Sequence, residues 1–347
     1  MLNYKEILDE LDSEKVKTLL EKLDIPYVEH DTYIVMPTAC HNEDLSDASW
    51  KLYFYKDSNI FFCYTEDGAM NAFKFLENYY MARDIKFNWY KDVFLVIKDC
   101  SNYRGDFEQA EVYKSIGDKY KKNDIYVLDT YNDKVLESFI KYYPDEWLDE
   151  GISKEAMDKF NILYSISQNK IIIPHYDYMG NLVGIRGRAL NKEEAEKYGK
   201  YMPVMIENHM YNHKLSFNLY GLYENKNNIN DYGICFVFEG EKSVLKMEDF
   251  NLPNCSVAVC GSKFNIHQLK LIKKVCNPKE IVICFDKEEL KGEDKYFNKL
   301  YEMCKKYKNY CNMSFIYDRE NLLKLKDSPT DNGEEIFNKL IKRRVKI

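Results

Sequence analysis

The last third of the chain alternates short apolar runs with amphipathic segments of helical period. Continuous apolar strands separated by helices are typical of a parallel sheet that is buried on both faces, with right-handed crossovers. The pattern predicts strands over 234–238, 256–260, 281–285 and 313–317, and it predicts helices near 242–249, 265–276, 293–307 and 333–344.

The start of the chain has a different pattern. Apolar residues recur at helical spacing from 3 to 23, and Pro26 ends that segment. A helix is also predicted over 69–82, and it follows three short strands of alternating character, at 33–36, 51–55 and 60–63. These elements predict a small β-rich domain over residues 1–100.

Between these regions lies a charged stretch, residues 101–150, which we interpret as a helical connection. Beyond it, apolar runs at 170–174 and 182–186 predict a strand pair within a region spanning 151–230. The parallel sheet then occupies 231–347. The predicted fold class is α/β, or α+β overall: a β-rich N-terminal domain, an α+β subdomain and a parallel-sheet subdomain.

Composition narrows the class of protein. The chain has 347 residues, of which 45% are hydrophobic and 31% charged, as in globular proteins with more than one core. Because no apolar run reaches the ~20 residues of a membrane helix and no signal peptide precedes the first helix, we expect a cytoplasmic protein without membrane contact. The net charge of −7 argues against coating nucleic acid by bulk electrostatics but permits a local basic groove.

Carboxylates follow the predicted parallel strands. Glu239 comes directly after the first strand, and Asp286 and Glu288 follow the third. Ligands of open parallel sheets lie beyond the carboxyl ends of the strands, and Mg²⁺ prefers oxygen ligands. The same spacing also fits helix N-caps and solvated turns. Alone, it does not distinguish a nucleotidyltransferase from a nuclease or a topoisomerase.

Two motifs resemble the Toprim domain, which carries a Glu after its first strand and Asp-x-Asp after its third: Phe238-Glu239-Gly240 and Phe285-Asp286-x-Glu288. The preceding segment, 171–190, resembles the RNA polymerase core of DnaG-type primases through Ile-Ile-Ile-Pro-x-x-Asp-x-x-Gly and a Gly-Arg-Ala-Leu ending. Lys200-Tyr201, Leu219-Tyr220-Gly221-Leu222 and the Lys326–Asp331 loop also resemble elements of that family, in the same order. The resemblance covers about 150–335.

The resemblance is closer to phage-encoded primases than to the long bacterial ones. It implies a DNA primase that makes short RNA primers on single-stranded DNA from ribonucleoside triphosphates in the host cytoplasm. It implies a set of ligands for Mg²⁺ or Mn²⁺: Glu239, Asp286, Glu288, Asp327 and Asp331. It also implies basic residues that line the template and nucleotide groove: Arg186, Arg188, Lys200 and Lys214. The chain has no Gly-x-x-x-x-Gly-Lys-Ser/Thr loop of a fused helicase. The resemblance implies a replicative helicase that acts in trans.

The chain departs from the family at two places. The second acid of Asp-x-Asp is Glu288, and Lys287 stands beside it. In the zinc-ribbon pattern only His41 and Cys63 remain in register, so we expect a zinc-ribbon-like fold that packs without its ion. The alternative is a residual zinc site that adds Cys40 and, as fourth ligand, Glu66.

These departures leave two other functions open. One is a metal-dependent Toprim nuclease. The other is a catalytically weak primase relative that binds DNA or a helicase.

Overall fold

The computed structural model of the chain describes residues 4–46, 48–101, 126–191, 193, 199–207, 209–289 and 295–347. Contacts divide the chain into two compact units, Met1–Val127 and Leu128–Ile347. The finer division of the second unit at 150 and 230 remains a prediction.

The helical period over 3–23 is confirmed as two helices, α1 (Tyr4–Asp9) and α2 (Ser13–Lys22). The break between them has a local cause, because the Asp12 carboxylate accepts a hydrogen bond from the Lys15 backbone NH (3.0 Å) and caps α2. Both helices bury the predicted apolar side.

An antiparallel sheet of five strands follows, and its spatial order is its chain order. The strands are β1 (Val28–Glu29), β2 (Tyr33–Met36), β3 (Leu52–Tyr55), β4 (Ile60–Cys63) and β5 (Gly68–Met70). Helix α3 (Ala72–Ala82) starts three residues later than predicted, because the chain pairs with β4 as β5 first. A π-helical turn (Trp89–Phe94) continues into α4 (Leu95–Ser101).

The second unit starts with little regular structure, where the sequence predicts a helical connection over 101–150. Residues 102–125 lie outside the described ranges; after them come a 3-10 turn (Asp133–Ser138), α5 (Asp145–Asp149) and α6 (Lys154–Lys159). Helix is excluded at Tyr131 because its backbone NH bonds the Leu182 carbonyl of a neighbouring strand (2.7 Å). The helical prediction was therefore wrong for most of 126–150.

A four-stranded antiparallel sheet comes next: β6 (Leu163–Ser165), β7 (Lys170–Tyr176), β8 (Leu182–Ala189) and β9 (Tyr201–Pro203). The predicted strand pair is confirmed as β7 and β8. The turn between them is organised by Asp177, whose carboxylate accepts from the Met179 and Asn181 backbone NH groups (2.8 and 2.9 Å). A short hairpin, β10 (Met205–Ile206) and β11 (His209–Met210), and a 3-10 turn (Leu215–Phe217) precede α7 (Leu222–Tyr232).

The predicted parallel sheet is confirmed, and its strand order is β13-β12-β14-β15-β16. Its strands are β12 (Ile234–Phe238), β13 (Ser256–Ala258), β14 (Glu280–Ile283), β15 (Asn312–Phe315) and β16 (Val345–Lys346). Its helices are α8 (Glu241–Glu248), α9 (Ile266–Val275), α10 (Lys295–Tyr307) and α11 (Gly333–Lys342). The last strand, which the sequence pattern missed, runs antiparallel to β15.

These elements confirm the predicted fold class, a mixed α+β chain with a parallel-sheet subdomain. Among the helices of the described ranges, none has both the length and the apolar character that a membrane span requires.

Candidate catalytic site and metal-ligand cluster

Strands β12 and β14 are neighbours at the centre of the parallel sheet, and Val237 lies beside Ile283. From β12 the chain crosses through α8 to β13 on one side, whereas from β14 it crosses through α10 to β15 on the other. Such a switch in direction opens a crevice at the carboxyl ends of the two strands. Glu239 and Asp286 follow these two strand ends, so topology brings both predicted acids to the crevice.

The two acids carry buried oxygens without a hydrogen-bond partner in the structure, Glu239 Oε1 and Asp286 Oδ1. Burial, with Asp286 and Glu288 nearby, raises the pKa of Glu239 to about 8. Burial and the neighbouring carboxylates of Asp331, Glu288 and Asp327 raise the pKa of Asp286 to about 7. Asp286 therefore lies within electrostatic reach of the other four predicted acids, Glu239, Glu288, Asp327 and Asp331.

The remaining three acids have partners. Glu288 accepts from Lys299 Nζ (2.8 Å), and Asp331 accepts from Lys246 Nζ (2.6 Å). Asp327 accepts from the Lys324 backbone NH (2.9 Å) and the Asn332 amide (3.0 Å). The orphaned oxygens therefore belong to Glu239 and Asp286 alone among these acids. Because unpaired buried carboxylates are costly unless a cation neutralises them, this donor set fits a hard divalent cation.

Two of the predicted basic residues, Arg188 and Lys200, interact electrostatically within the second unit. Arg188 is 3% exposed and donates to Glu146 (2.8 Å), but its Nε and Nη1 have no hydrogen-bond partner. Burial and the Arg188 charge lower the pKa of Lys200, while the carboxylates of Asp331 and Asp286 act in the opposite direction. Arg188 and Lys200 therefore lie within electrostatic reach of each other, and Lys200 lies within reach of the acids.

Arg186 and Lys214 occupy different surroundings. The Arg186 guanidinium donates to buried Glu241 (2.6 Å), and His175 Nε2 lies 3.3 Å from the same carboxylate oxygen. Burial opposes ionisation of Glu241, yet Arg186 and His175 hold its pKa far below the ordinary range. Lys214 Nζ lies 5.6 Å from the Phe217 ring centroid.

Glu241 and His175 were not among the residues predicted from the sequence. Glu241 meets Arg186 and His175 through tertiary packing, which no local sequence pattern encodes. Ligand atoms of His175, Glu241 and Cys260 also lie within 4.8 Å of one another. Because Arg186 already neutralises Glu241 at 2.6 Å, this group is a buried ion pair and not a metal site.

The first unit holds a separate cluster of metal-ligating side chains. Single ligand atoms of Cys40, His41, Cys63 and Asp67 all lie within 4.8 Å of one another. His41 Nδ1 is 3.4 Å from Cys40 Sγ, 3.6 Å from Cys63 Sγ and 3.4 Å from an Asp67 oxygen. The cluster is compatible with a zinc ion, whose structural sites have four N, S or O ligands.

The fourth member of the cluster is Asp67, where the sequence analysis named Glu66. The Glu66 carboxylate lies 3.8 Å from Nε2, the opposite nitrogen of His41. Asn78 donates a hydrogen bond to the other Asp67 oxygen (2.9 Å). Such a contact, from a residue that does not itself bind the metal, orients a metal-ligating carboxylate. Burial opposes ionisation of Cys63, but Cys40 and His41 lower its pKa well below the ordinary value, which favours the thiolate a metal requires.

An acid cluster at the switch point of a parallel sheet, in the same unit as an antiparallel sheet with a buried arginine, is typical of a site for an anionic ligand and its divalent cation. The SPbeta prophage-derived uncharacterized protein YorJ of Bacillus subtilis is 35% identical over 336 residues, 89% of this chain and 88% of its own length. The chain belongs to the YorJ family.

More distant relatives bear the name DNA primase. That of Clostridium acetobutylicum is 30% identical over 155 residues and that of Buchnera aphidicola (subsp. Baizongia pistaciae) 30% over 201, covering 44% and 50% of this chain. The matches span only 24% and 32% of those primases. The zinc-binding and RNA polymerase domains of Aquifex aeolicus primase align over 98% of this chain and 86% of theirs, at 18% identity and a TM-score of 0.45. No protein-family model matches the chain.

Proposed function

We propose that the protein is a DNA primase that joins ribonucleotides on a single-stranded DNA template. The observation that carries the proposal is the pair of buried carboxylates, Glu239 and Asp286, each with an unpartnered oxygen at the switch point of the sheet. Two buried carboxylates need a cation nearby. A nucleoside triphosphate with its divalent metal ion meets this need, because the metal ion binds the acids and the phosphates bind nearby cationic side chains.

Glu239, Asp286 and Glu288 would hold Mg²⁺ or Mn²⁺, with Asp327 and Asp331 close by. The bound ion would neutralise charge on the phosphates and orient them for nucleotidyl transfer. Lys299 and Lys246 hold Glu288 and Asp331 in place at 2.8 and 2.6 Å. The protein's own part is to hold these carboxylates at the ends of neighbouring strands before the ion binds.

Arg188 and Lys200 are the proposed contacts to nucleotide or template phosphates. The Nε and Nη1 of Arg188 are donors without a partner in the structure, and each can donate to a phosphate oxygen. Trp147 packs beside the guanidinium (5.5 Å). We retain Lys214 as a second contact to the template on the family resemblance alone. Arg186 forms an ion pair with Glu241, which supports a role in positioning the start of α8 instead of a contact with nucleic acid.

The first unit supports template binding through an aromatic face on its sheet. Strand alternation turns Tyr33, Tyr53 and Tyr55 away from the core, and Tyr64 follows the end of β4. The rings surround Tyr53, whose centroid lies 5.2 Å from that of Tyr33, 6.1 Å from Tyr55 and 5.3 Å from Tyr64. Bases of single-stranded nucleic acid stack on such rings without sequence preference. This face, which we call the tyrosine face, is proposed to bind the template.

Replacing Tyr53, at the centre of the tyrosine face, by Ser is expected to weaken binding of single-stranded oligo-dT about 5- to 150-fold, the loss of one stacked base. Fluorescence anisotropy at fixed salt measures the affinity, because backbone contacts are salt-dependent. Tyr232→Ser is the matched control, since Tyr232 is 62% exposed in the other unit. Equal affinities for the two variants would contradict a stacking role.

We also propose that the cluster in the first unit binds zinc. The purified full chain is expected to contain about one zinc per molecule, because four ligand atoms already converge. Asp67→Asn should lower the zinc content measured by elemental analysis, whereas Glu66→Gln should retain it, since Glu66 faces the opposite nitrogen of His41. Loss of zinc in Glu66→Gln and its retention in Asp67→Asn would reverse the assignment.

Primer synthesis tests the function itself. We expect the full chain to make short RNA when it is incubated with Mg²⁺ or Mn²⁺ and the four ribonucleotides. The templates are single-stranded DNAs that each carry a defined trinucleotide. Degradation of labelled DNA with metal but without nucleotides would instead indicate the nuclease. DNA binding without either reaction would indicate a catalytically silent relative, and a helicase partner would then be sought by co-purification.

A further inference from the structure

Lys287 lies between two of the proposed metal ligands, Asp286 and Glu288, where a cation could compete with a metal ion. Its ammonium group is instead held by acceptors of the loop after β15. Nζ donates to Asp318 Oδ2 (3.0 Å), Asn321 Oδ1 (3.0 Å) and the Leu323 carbonyl (2.9 Å). Three acceptors match the three N–H bonds of an ammonium group, so its hydrogen bonding is complete.

Asp318 is the centre around which this loop folds. Its carboxylate, whose side chain is 3% exposed, accepts from the backbone NH groups of Glu320 (3.2 Å), Leu322 (3.1 Å) and Leu323 (2.9 Å). The three backbone NH groups and the Lys287 cation at 3.0 Å together favour the charged form of this buried carboxylate. The lysine therefore completes a charge pair on which the shape of the loop depends.

The backbone of Lys287 binds the same loop from its other end. The Lys287 NH donates to the Asp327 carbonyl (2.9 Å), and the Lys326 NH donates to the Lys287 carbonyl (2.7 Å). The loop is thus fastened to the end of β14 at both its beginning and its end. Asp327 and Asp331, two of the five acids, lie at or just beyond the second attachment.

The cations that most oppose the charge of the acids are different residues. Lys299 acts on Glu239, and Lys242 acts on Asp286. Lys287 directs its charge to Asp318, which is not one of the proposed ligands. Lys287 therefore stands inside the acidic motif in sequence, but its side chain points to the loop and not to the proposed metal ligands.

We infer that Lys287 is a positioning residue, which holds the 318–327 loop so that Asp327 and Asp331 face Asp286 across the metal site. The inference rests on the proposed function, because it concerns the same acids. It explains how a lysine can stand inside the acidic motif without displacing a divalent cation.

The test is Mn²⁺ binding to the full chain, measured by electron paramagnetic resonance without DNA or nucleotides. Lys287→Met should weaken binding about tenfold, the typical effect of removing a group that orients metal ligands, and Lys287→Arg should restore part of it. Lys324→Met, which removes an exposed charge from the same loop, should bind as the unaltered chain does. Backbone amides of 322–326 should exchange hydrogen faster in Lys287→Met.

Unchanged or tighter Mn²⁺ binding in folded Lys287→Met would overturn the inference, because the lysine would then be neutral or a competitor. If Lys287→Met does not fold, Asn321→Gly removes one acceptor and keeps the positive φ of 54° at that position. It should weaken Mn²⁺ binding in the same direction, and unchanged binding would overturn the inference. Absence of Mn²⁺ binding by the unaltered chain would overturn the proposed metal site itself, so the two failures are distinguishable.

Discussion

Glu239→Gln and Asp286→Asn are each expected to reduce primer synthesis at least about a hundredfold while leaving the protein folded. Both changes keep the size of the side chain but remove the anionic oxygen that the proposed metal requires. Primer yield on single-stranded DNA at saturating Mg²⁺ measures the effect. Glu302→Gln, on an exposed part of α10, is the control and should retain full synthesis.

The same variants should stabilise the metal-free protein at high pH. The folded-state pKa of Glu239 is about 8 against an ordinary value of 4.5, so the folded protein binds more protons between these values than the unfolded chain. Its free energy of unfolding must therefore fall as pH rises from about 5 to about 8.

Denaturant melts at several pH values, compared between the unaltered chain and Glu239→Gln, isolate this contribution. The unaltered chain should lose more stability over this range than the variant. Parallel pH dependences, or full synthesis by Glu239→Gln, would contradict the placement of Glu239 in a charged, desolvated site.

Arg186→Met is expected to lower the free energy of unfolding by ~3–5 kcal/mol, because it leaves Glu241 charged and buried without its partner. The Glu241 side chain is 1% exposed, and the ion pair is 2.6 Å long. Denaturant unfolding followed by circular dichroism measures the loss. Arg343→Met breaks an ion pair with Glu320 on the surface and should change stability by no more than about 1 kcal/mol.

The two roles considered for Arg186 predict different results. A positioning role predicts lost stability with unchanged affinity for single-stranded DNA under conditions where the variant is folded. The nucleic-acid contact expected from the family resemblance predicts lost affinity with little change in stability. Anisotropy and denaturant melts on the same preparation separate them, and lost affinity alone would contradict the positioning role.

The charge network around Arg186 also bears on how the acids are placed. Glu241 begins α8 and lies two residues after Glu239, while Arg186 and His175 belong to the antiparallel sheet. The ion pair therefore connects the start of α8 to that sheet. Because the interaction is buried and short, it restricts where the turn carrying Glu239 can lie.

The amino-acid sequence by itself determined the parallel sheet, its helices and the placement of acids after its strands. Hydrophobic periodicity and the carboxylates that follow strands are local signals. Because crossovers between parallel strands are right-handed, few sheet topologies are compatible with these elements. Two elements departed from the pattern. Asp12 separates α1 from α2 by a local cap, whereas Gly68–Met70 joins the sheet before α3 begins because it pairs with β4.

Only the tertiary structure decided which side chains meet. It placed Asp67 instead of Glu66 in the cluster with Cys40, and paired Arg186 with Glu241, 55 positions along the chain. It also turned Lys287 towards Asp318. Sequence pattern specifies the face and the end of an element, whereas the partner of a buried charge depends on how separate elements pack, because electrostatic and hydrogen-bond contacts act over a few ångströms of space and not along the chain.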